Sequence, residues 1–380
     1  MPDSHLDLLD TVIADVVLPA AEEVDRDGVF PRASVTALGA AGLLGLASSP
    51  DVGGGGLAFP AVAPVIERLA GACGSTAMVV LMHYAATAAI EAHGPTDVRE
   101  AIAAGRCLTT LAFSEVGSRS HFWAPVSTAA AEEDGSVRLD AHKSWVTAAG
   151  EADVYVWSSR PVAADGPMTI WLVPSDAPGL QVAGPFDGLG LRGNASRPVD
   201  ADGVTVAAEA MLGADGGGLD LALATALPWF LVLNAAFSLG LAEAVTAESI
   251  AHLTRSRLAH LDQSLAEQAL PRLDLGRMRV DTDRTRTFID DTTLALVQGR
   301  ADAMLRVLEV KAVAAEAAIN VTDLAMKVCG GAAFRKELGI ERRFRDARAA
   351  RVMAPTTDAL LDFVARAICG LPLIDSPAGG

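Results

Sequence analysis

Cysteine is scarce in this chain. Its 380 residues carry four: Cys73, Cys107, Cys329 and Cys369. Their spacings are too wide for a CxxC or zinc pattern, and four are too few to staple a chain this long. Free, buried thiols are expected. Aromatic residues make up only 5% of the chain and alanine is abundant, which favours close-packed helices over a β-sandwich. Positive charge is also short, with 30 Lys and Arg against 47 Asp and Glu and a net charge of -17. Such a surface repels phosphate backbones and anionic lipid, so neither nucleic acid nor a membrane surface is an expected partner. The N-terminal run MPDSHLDLLD has acidic residues where a secretory signal needs basic ones, and a cytoplasmic location is expected. A GxSxG elbow and an HExxH pair are missing, and the seven histidines do not cluster, so no metal site is expected.

What is present is core material. Hydrophobic residues form 51% of the chain, enough for two or three domains at this length. The texture is α+β in three blocks. Residues 1–107 read as helices: Pro31 opens one, Gly42 closes it, and another covers about 74–93 and ends at Gly94. Residues 108–212 turn to short runs rich in Thr, Val, Ile and aromatics, such as LTTLAF and MTIWLV, which read as strands of a barrel-like middle domain. Residues 213–380 return to helical periodicity and read as a four-helix bundle. Residues 221–242 contain no charge and are long enough to cross a bilayer. Pro228, Asn234 and the lack of flanking Lys or Arg point instead to a helix buried inside a helical assembly, and hint at oligomerisation.

The run GLGLRG at 188–193 has the spacing of a dinucleotide fingerprint. That motif must open a helix, and Pro198 and Gly203 break any helix here, so the glycines are read as a turn between strands. Four segments are more informative: LAFSEVGSRSHF at 111–122, KSWVTAAGEADVYV at 143–156, GLGLRGNAS at 188–196 and CGGAAF at 329–334, the last followed by ERRFRDARAARVMAPTTD. In this order and in this α–β–α setting they resemble the acyl-CoA dehydrogenase superfamily over nearly the whole chain.

The resemblance implies a flavoprotein oxidoreductase that holds FAD between the middle domain and the C-terminal bundle. It places Ser114 at the pyrimidine edge of the flavin and Ser120 at the pyrophosphate. The family's K-x-W-I-T segment appears as Lys143, Trp145, Val146 and Thr147, with Trp145 covering one flavin face and Thr147 approaching N5. Arg255, Gln268 and the glycine pair Gly330 and Gly331 correspond to residues that reach FAD, the arginine that of a neighbouring subunit. Thr356 aligns with a threonine beside the catalytic loop. A homo-oligomer, tetramer or dimer, and a small-molecule substrate such as a CoA thioester go with this pattern.

One departure matters. Family members take the α-proton with a carboxylate written Y-E-G-T, and here Met353-Ala354-Pro355-Thr356 stands in its place. A methyl group accepts no proton. The alternative position used by some members falls near Trp229 and Phe230, also non-acidic. Three readings stay open. Asp358, one turn further on, acts as a displaced base. Alternatively the chain is a flavin-dependent monooxygenase on a small apolar or heteroatom-bearing substrate, with FAD or FMN supplied by a flavin reductase and His121 or His83 as the proton donor. The third reading is a catalytically silent oligomeric subunit. The seven basic side chains against three acidic ones at 335–351 read either as attraction to phosphate or as a helix laced with ion pairs such as Arg345–Glu341.

Overall fold

The computed structural model describes residues 4–118, 121–336 and 338–374. The first block is helical: α1 (Ser4–Val12), α2 (Leu18–Asp27), α3 (Arg32–Ala40), α4 (Phe59–Ala72), α5 (Gly74–His93) and α6 (Thr96–Ala103). The middle block holds β1 (Thr109–Ala112), β2 (Thr128–Ala131), β3 (Val137–Val146), β4 (Val154–Ser159), β5 (Thr169–Pro174), β6 (Leu180–Val182), β7 (Arg197–Val206) and β8 (Met211–Leu212). These form two four-stranded sheets, ordered β1-β4-β5-β8 and β2-β3-β7-β6. β4 and β5 are buried along nearly their whole length. β3 alternates inward and outward, as a strand with one solvated face must. The last block is α7 (Gly218–Ala224), α8 (Ala226–Arg255), a short hairpin of β9 (Arg257–Leu258) and β10 (Gln263–Ser264), α9 (Ala269–Gln298), α10 (Ala303–Phe334), α11 (Ile340–Val352) and α12 (Thr357–Ile368).

The uncharged stretch forms most of α8. The helical run Gly218–Arg255 is long and apolar enough to cross a membrane, yet 78% of its most apolar window is buried within this chain. α4, α5, α9 and α10 all pack against it. A single copy therefore surrounds this helix, and its burial gives no reason to invoke a second. Pro228 sits in the first turn of α8, where a missing N–H leaves no helical bond unmade. Of the cysteines, Cys73, Cys107 and Cys329 are buried and free, while Cys369 is exposed at the end of α12.

The GLGLRG run opens no helix. It forms a turn between β6 and β7, wedged between the two helical blocks. A Cβ on Gly190 would lie 2.6 Å from the backbone carbon of Arg345, and one on Gly193 would lie 2.5 Å from the Val29 carbonyl oxygen. Only glycine permits these approaches. Around the same turn, Arg345 bridges Asp25 at 2.6 Å and Glu341 at 2.7 Å. Arg343 pairs with Glu248, and Arg351 pairs with Glu316. The basic segment thus behaves as an ion-paired helix that ties α2 and α11 to the middle sheets.

Asp346 lies at the centre of this junction. It is buried, and its Oδ1 accepts the Leu191 N–H at 2.6 Å. Burial pushes its carboxyl up to about 6, against the Leu191 hydrogen bond and the nearby Arg345 and Arg342 charges. A folded-state value above the unfolded one means that the native state holds a proton which the unfolded chain has lost. The stabilising contribution is complete below about pH 4 and is lost as pH rises through about 6. Asp346→Asn keeps the Oδ1 acceptor and removes the buried charge. Its thermal stability relative to wild type is expected to be level near pH 4 and higher by up to about 3 kcal/mol above pH 6. A difference that does not change with pH would contradict this.

Candidate active site

A cavity of about 1200 Å³ opens between the middle sheets and the C-terminal helices. Its walls come from the segment after β1, the end of β3, the 186–191 turn, α7, the start of α8, α11 and the loop into α12. At this size it has room for a large cofactor and a substrate together.

The feature that shapes it is Trp145. β3 and β7 lose register between Lys143 and Val146, a bulge that re-aims the side chain. Trp145 takes φ 57 and stands 70% exposed against the cavity. Of the six described non-glycine residues at positive φ, Trp145 and Leu191 line the cavity, and Ala148 and Ala195 directly follow the lining residues Thr147 and Asn194. Backbone in this region is strained for an L residue, by roughly 1–3 kcal/mol each, and such strain gathers where a ligand is held. Two hydrogen bonds over-determine it. The Ala148 N–H donates to the Asn194 carbonyl at 2.9 Å, and the Ala149 N–H to that of Ala195 at 3.1 Å. Thr147 is buried beside them, its hydroxyl 3.2 Å from that of Ser196.

A buried ion pair pins the segment after β1. Lys143 is 0% exposed and its Nζ meets Glu115 at 2.5 Å. The ammonium also donates to the Ser158 carbonyl at 2.6 Å and the Ser158 hydroxyl at 2.9 Å. The Glu115 carboxylate accepts the N–H groups of Val126 and Ser127 and the Ser127 hydroxyl. Burial works against its charge, but Lys143 and Ser127 outweigh that and hold the carboxyl below its usual range. Burial pulls Lys143 down to about 8 against the attraction of Glu115. The pair is ionised and closed. It was not singled out from sequence, although Lys143 continues the inward register of Val137, Leu139 and Ala141 along β3.

Another part of the wall is apolar: Phe113, Phe122, Leu227, Phe230, Met353 and Ala354. The backbone here is held by Lys311, which is fully buried on α10. Its ammonium donates to the carbonyls of Ala350 at 2.7 Å, Met353 at 3.0 Å and Pro355 at 2.8 Å. Burial pushes Lys311 down to about 7. The three acceptors and the C-terminal end of α11 favour the charged form, which uses all three of its hydrogens. Lys311 therefore fixes the loop on both sides of Ala354, and in the charged form it has no lone pair to act as a base.

Ser114, Trp145, Thr147 and Thr356 are gathered at this cavity. The Thr356 hydroxyl accepts the Ala359 N–H as the N-cap of α12 and remains a donor toward the cavity. Ser120 lies outside the described residues. Arg255, Gln268, Gly330 and Gly331 do not line the cavity. Arg255 is exposed at the end of α8, Gln268 bonds Gln263 at 2.8 Å just before α9, and Gly330 bends the last turns of α10 at φ 53 and ψ -129.

The three acid–base candidates also sit elsewhere. His83 is fully buried between domains. Its Nδ1 accepts the Thr109 N–H at 3.1 Å, which leaves Nε2 to donate to the Leu44 carbonyl at 3.1 Å. Burial lowers it to about 4, so it is a neutral strut between α5 and β1. His121 is exposed and turned back, with Nδ1 3.1 Å from the Ser118 carbonyl. Asp358 is exposed in the first turn of α12 and does not line the cavity, which removes it as a displaced base. Among the described residues, the only carboxylates on the cavity wall are Glu115, locked to Lys143, and Asp187. Asp187 is exposed and 3.3 Å from Arg192.

This architecture is matched, block by block, by models of the acyl-CoA dehydrogenase N-terminal domain at residues 4–106, middle domain at 110–204 and C-terminal domain at 216–369. The chain belongs to the acyl-CoA dehydrogenase family. It is 27% identical to human mitochondrial short-chain specific acyl-CoA dehydrogenase, over 94% of this chain and 88% of that one. It is also 27% identical to a probable acyl-CoA dehydrogenase of Bacillus subtilis, over 92% and 93%. The structure of butyryl-CoA dehydrogenase from Megasphaera elsdenii superposes with a TM-score of 0.90 at 21% identity, covering 97% of this chain and 99% of that one. Membership in this oxidoreductase family implies FAD, and the cavity fits such a group: a bare indole for a planar ring, hydroxyls from Ser114, Thr147 and Thr356 at its edge, and Arg348 on the wall.

Proposed function

We propose that this chain is an FAD-dependent oxidoreductase of acyl thioesters in which position 354 no longer supplies the proton acceptor. The observation that carries it is Trp145, a large apolar ring held in a strained conformation and 70% exposed, with Phe186 packed edge-on against it. Bound FAD supplies a two-electron acceptor. The chain's own residues do the rest. Trp145 offers the platform, and Thr147 and Ser196 offer hydroxyls. Phe113, Phe122, Leu227 and Phe230 keep water from the acyl chain, and Lys311 fixes the backbone around Ala354. Ala354 accepts no proton, so turnover is slow compared with a member that has a carboxylate there.

Arg255, Gln268, Gly330 and Gly331 are proposed to serve the flavin of a second copy, which makes the enzyme a homo-oligomer. The exposed Leu270, Leu273 and Phe334 on the same helices support this. A second reading, a flavin-dependent monooxygenase, is favoured by one observation: the apolar part of the wall carries no free carboxylate among the described residues. FMN and a flavin reductase would go with it.

Two measurements separate these readings. Unfolding the purified protein is expected to release one FAD per chain, and anaerobic addition of butyryl-CoA to bleach the flavin slowly. No bleaching at any acyl chain length, together with oxygen-dependent NADH consumption when a flavin reductase is added, would overturn the first reading in favour of the second. Trp145→Gly tests the platform. Glycine suits φ 57, and the lost ring was exposed, so the flavin-free protein is expected to unfold within about 1 kcal/mol of wild type. Flavin affinity is expected to fall at least tenfold, the worth of roughly 1.4 kcal/mol of stacking. Unchanged affinity would mean that the ring binds elsewhere.

A further inference from the structure

The acyl end of the cavity closes on α8 through Leu227 and Phe230. One turn beyond Phe230 lies Asn234, 0% exposed in an otherwise apolar stretch of helix. Its Nδ2 reaches only the Met353 sulfur, at 3.9 Å, and its Oδ1 has no hydrogen-bond partner among the described residues. A side-chain amide has two donors and an acceptor oxygen, and leaving a buried polar group unpaired costs about 1–3 kcal/mol. A leucine here would stabilise the helix packing. Met353 itself lines the cavity. It is unbranched, with three rotatable bonds and a soft thioether, so it makes a movable partition between the amide and the acyl site.

We infer that Asn234 is a specificity-determining residue that receives a hydroxyl on the acyl group of the substrate, with Met353 swinging aside to admit it. A hydroxyl donates to Oδ1 and accepts from Nδ2, so it satisfies both halves of the amide. A methyl group satisfies neither. A carboxylate offers Oδ1 no donor and would find the Lys311 ammonium already bonded to three carbonyls. The substrate class is a hydroxyacyl thioester. The inference rests on the acyl-thioester reading above and sharpens it.

The test is an anaerobic titration of the flavin-loaded protein with butyryl-CoA, 3-hydroxybutyryl-CoA and 4-hydroxybutyryl-CoA, following perturbation of the visible flavin spectrum. Wild type is expected to bind one hydroxylated thioester at least tenfold more tightly than butyryl-CoA. Asn234→Leu, of similar volume, is expected to lose that preference while its thermal midpoint holds or rises. Asn234→Ala, which leaves room for a water, serves as the second variant and is also expected to lose it. Equal affinity of wild type for plain and hydroxylated thioesters would overturn the assignment and leave the acyl-thioester reading standing. So would a preference that survives in both variants. No perturbation by any of the three would overturn both.

Discussion

Lys143→Met is expected to destabilise the fold by about 3–5 kcal/mol and to leave the protein with little bound flavin. The reason is the charge left behind. Glu115 is buried and already committed to the Val126 and Ser127 amides, so it cannot turn to solvent when its partner goes. Removing one member of a buried pair strands the other, and that exceeds what the pair contributes when whole. The ammonium also ties Glu115 to Ser158 on β4, so its loss frees the segment from Ser114 to Gly117 that forms one wall of the cavity. Glu115→Gln combined with Lys143→Met is expected to recover part of the loss, because glutamine keeps an oxygen for the two amides without the charge. Urea unfolding and flavin content of the three proteins check this. A single variant within about 1 kcal/mol of wild type, still yellow, would contradict it.

Ala354→Glu is expected to accelerate flavin reduction by an acyl-CoA at least 100-fold. Positioned general bases contribute roughly 10²–10⁴-fold, and the position is prepared for one. Ala354 faces the cavity, and the carbonyls on either side of it are held by Lys311. The nearby ammonium favours an ionised carboxylate, while partial burial raises its pKa. The rate in the variant is therefore expected to climb with pH as the new carboxylate loses its proton, a dependence that wild type lacks. Anaerobic stopped-flow reduction across pH checks both points. A variant that folds, binds flavin and is no faster would show that removal of the α-proton is not what position 354 limits.

Much of the framework was legible because it depends on local pattern. Gly94 ends α5, Pro31 precedes α3, and the change in residue texture near Leu108 anticipates the first strand. That residue 354 is an alanine, with no proton acceptor of its own, was also legible, since it is a statement about residue type. What escaped depends on tertiary pairing. Trp145 was named, but the register shift that exposes it is set by β7, some fifty residues later. His83 looked like a candidate acid because its ring partners, the Thr109 N–H and the Leu44 carbonyl, lie 26 and 39 residues away. Composition could say that α8 is buried but not that α4, α5, α9 and α10 of its own chain bury it. The pairing of Lys143 could have been found: a lysine at an inward position of an alternating strand calls for a buried partner.

The most direct measurement is a crystal structure of the flavin-loaded protein with butyryl-CoA. The flavin ring is expected against Trp145 with the acyl chain between it and Phe113 and Phe230, and Ala354 beside the α-carbon with no carboxylate within hydrogen-bond reach. A flavin bound away from Trp145, or a carboxylate brought within reach of the α-carbon, would contradict it.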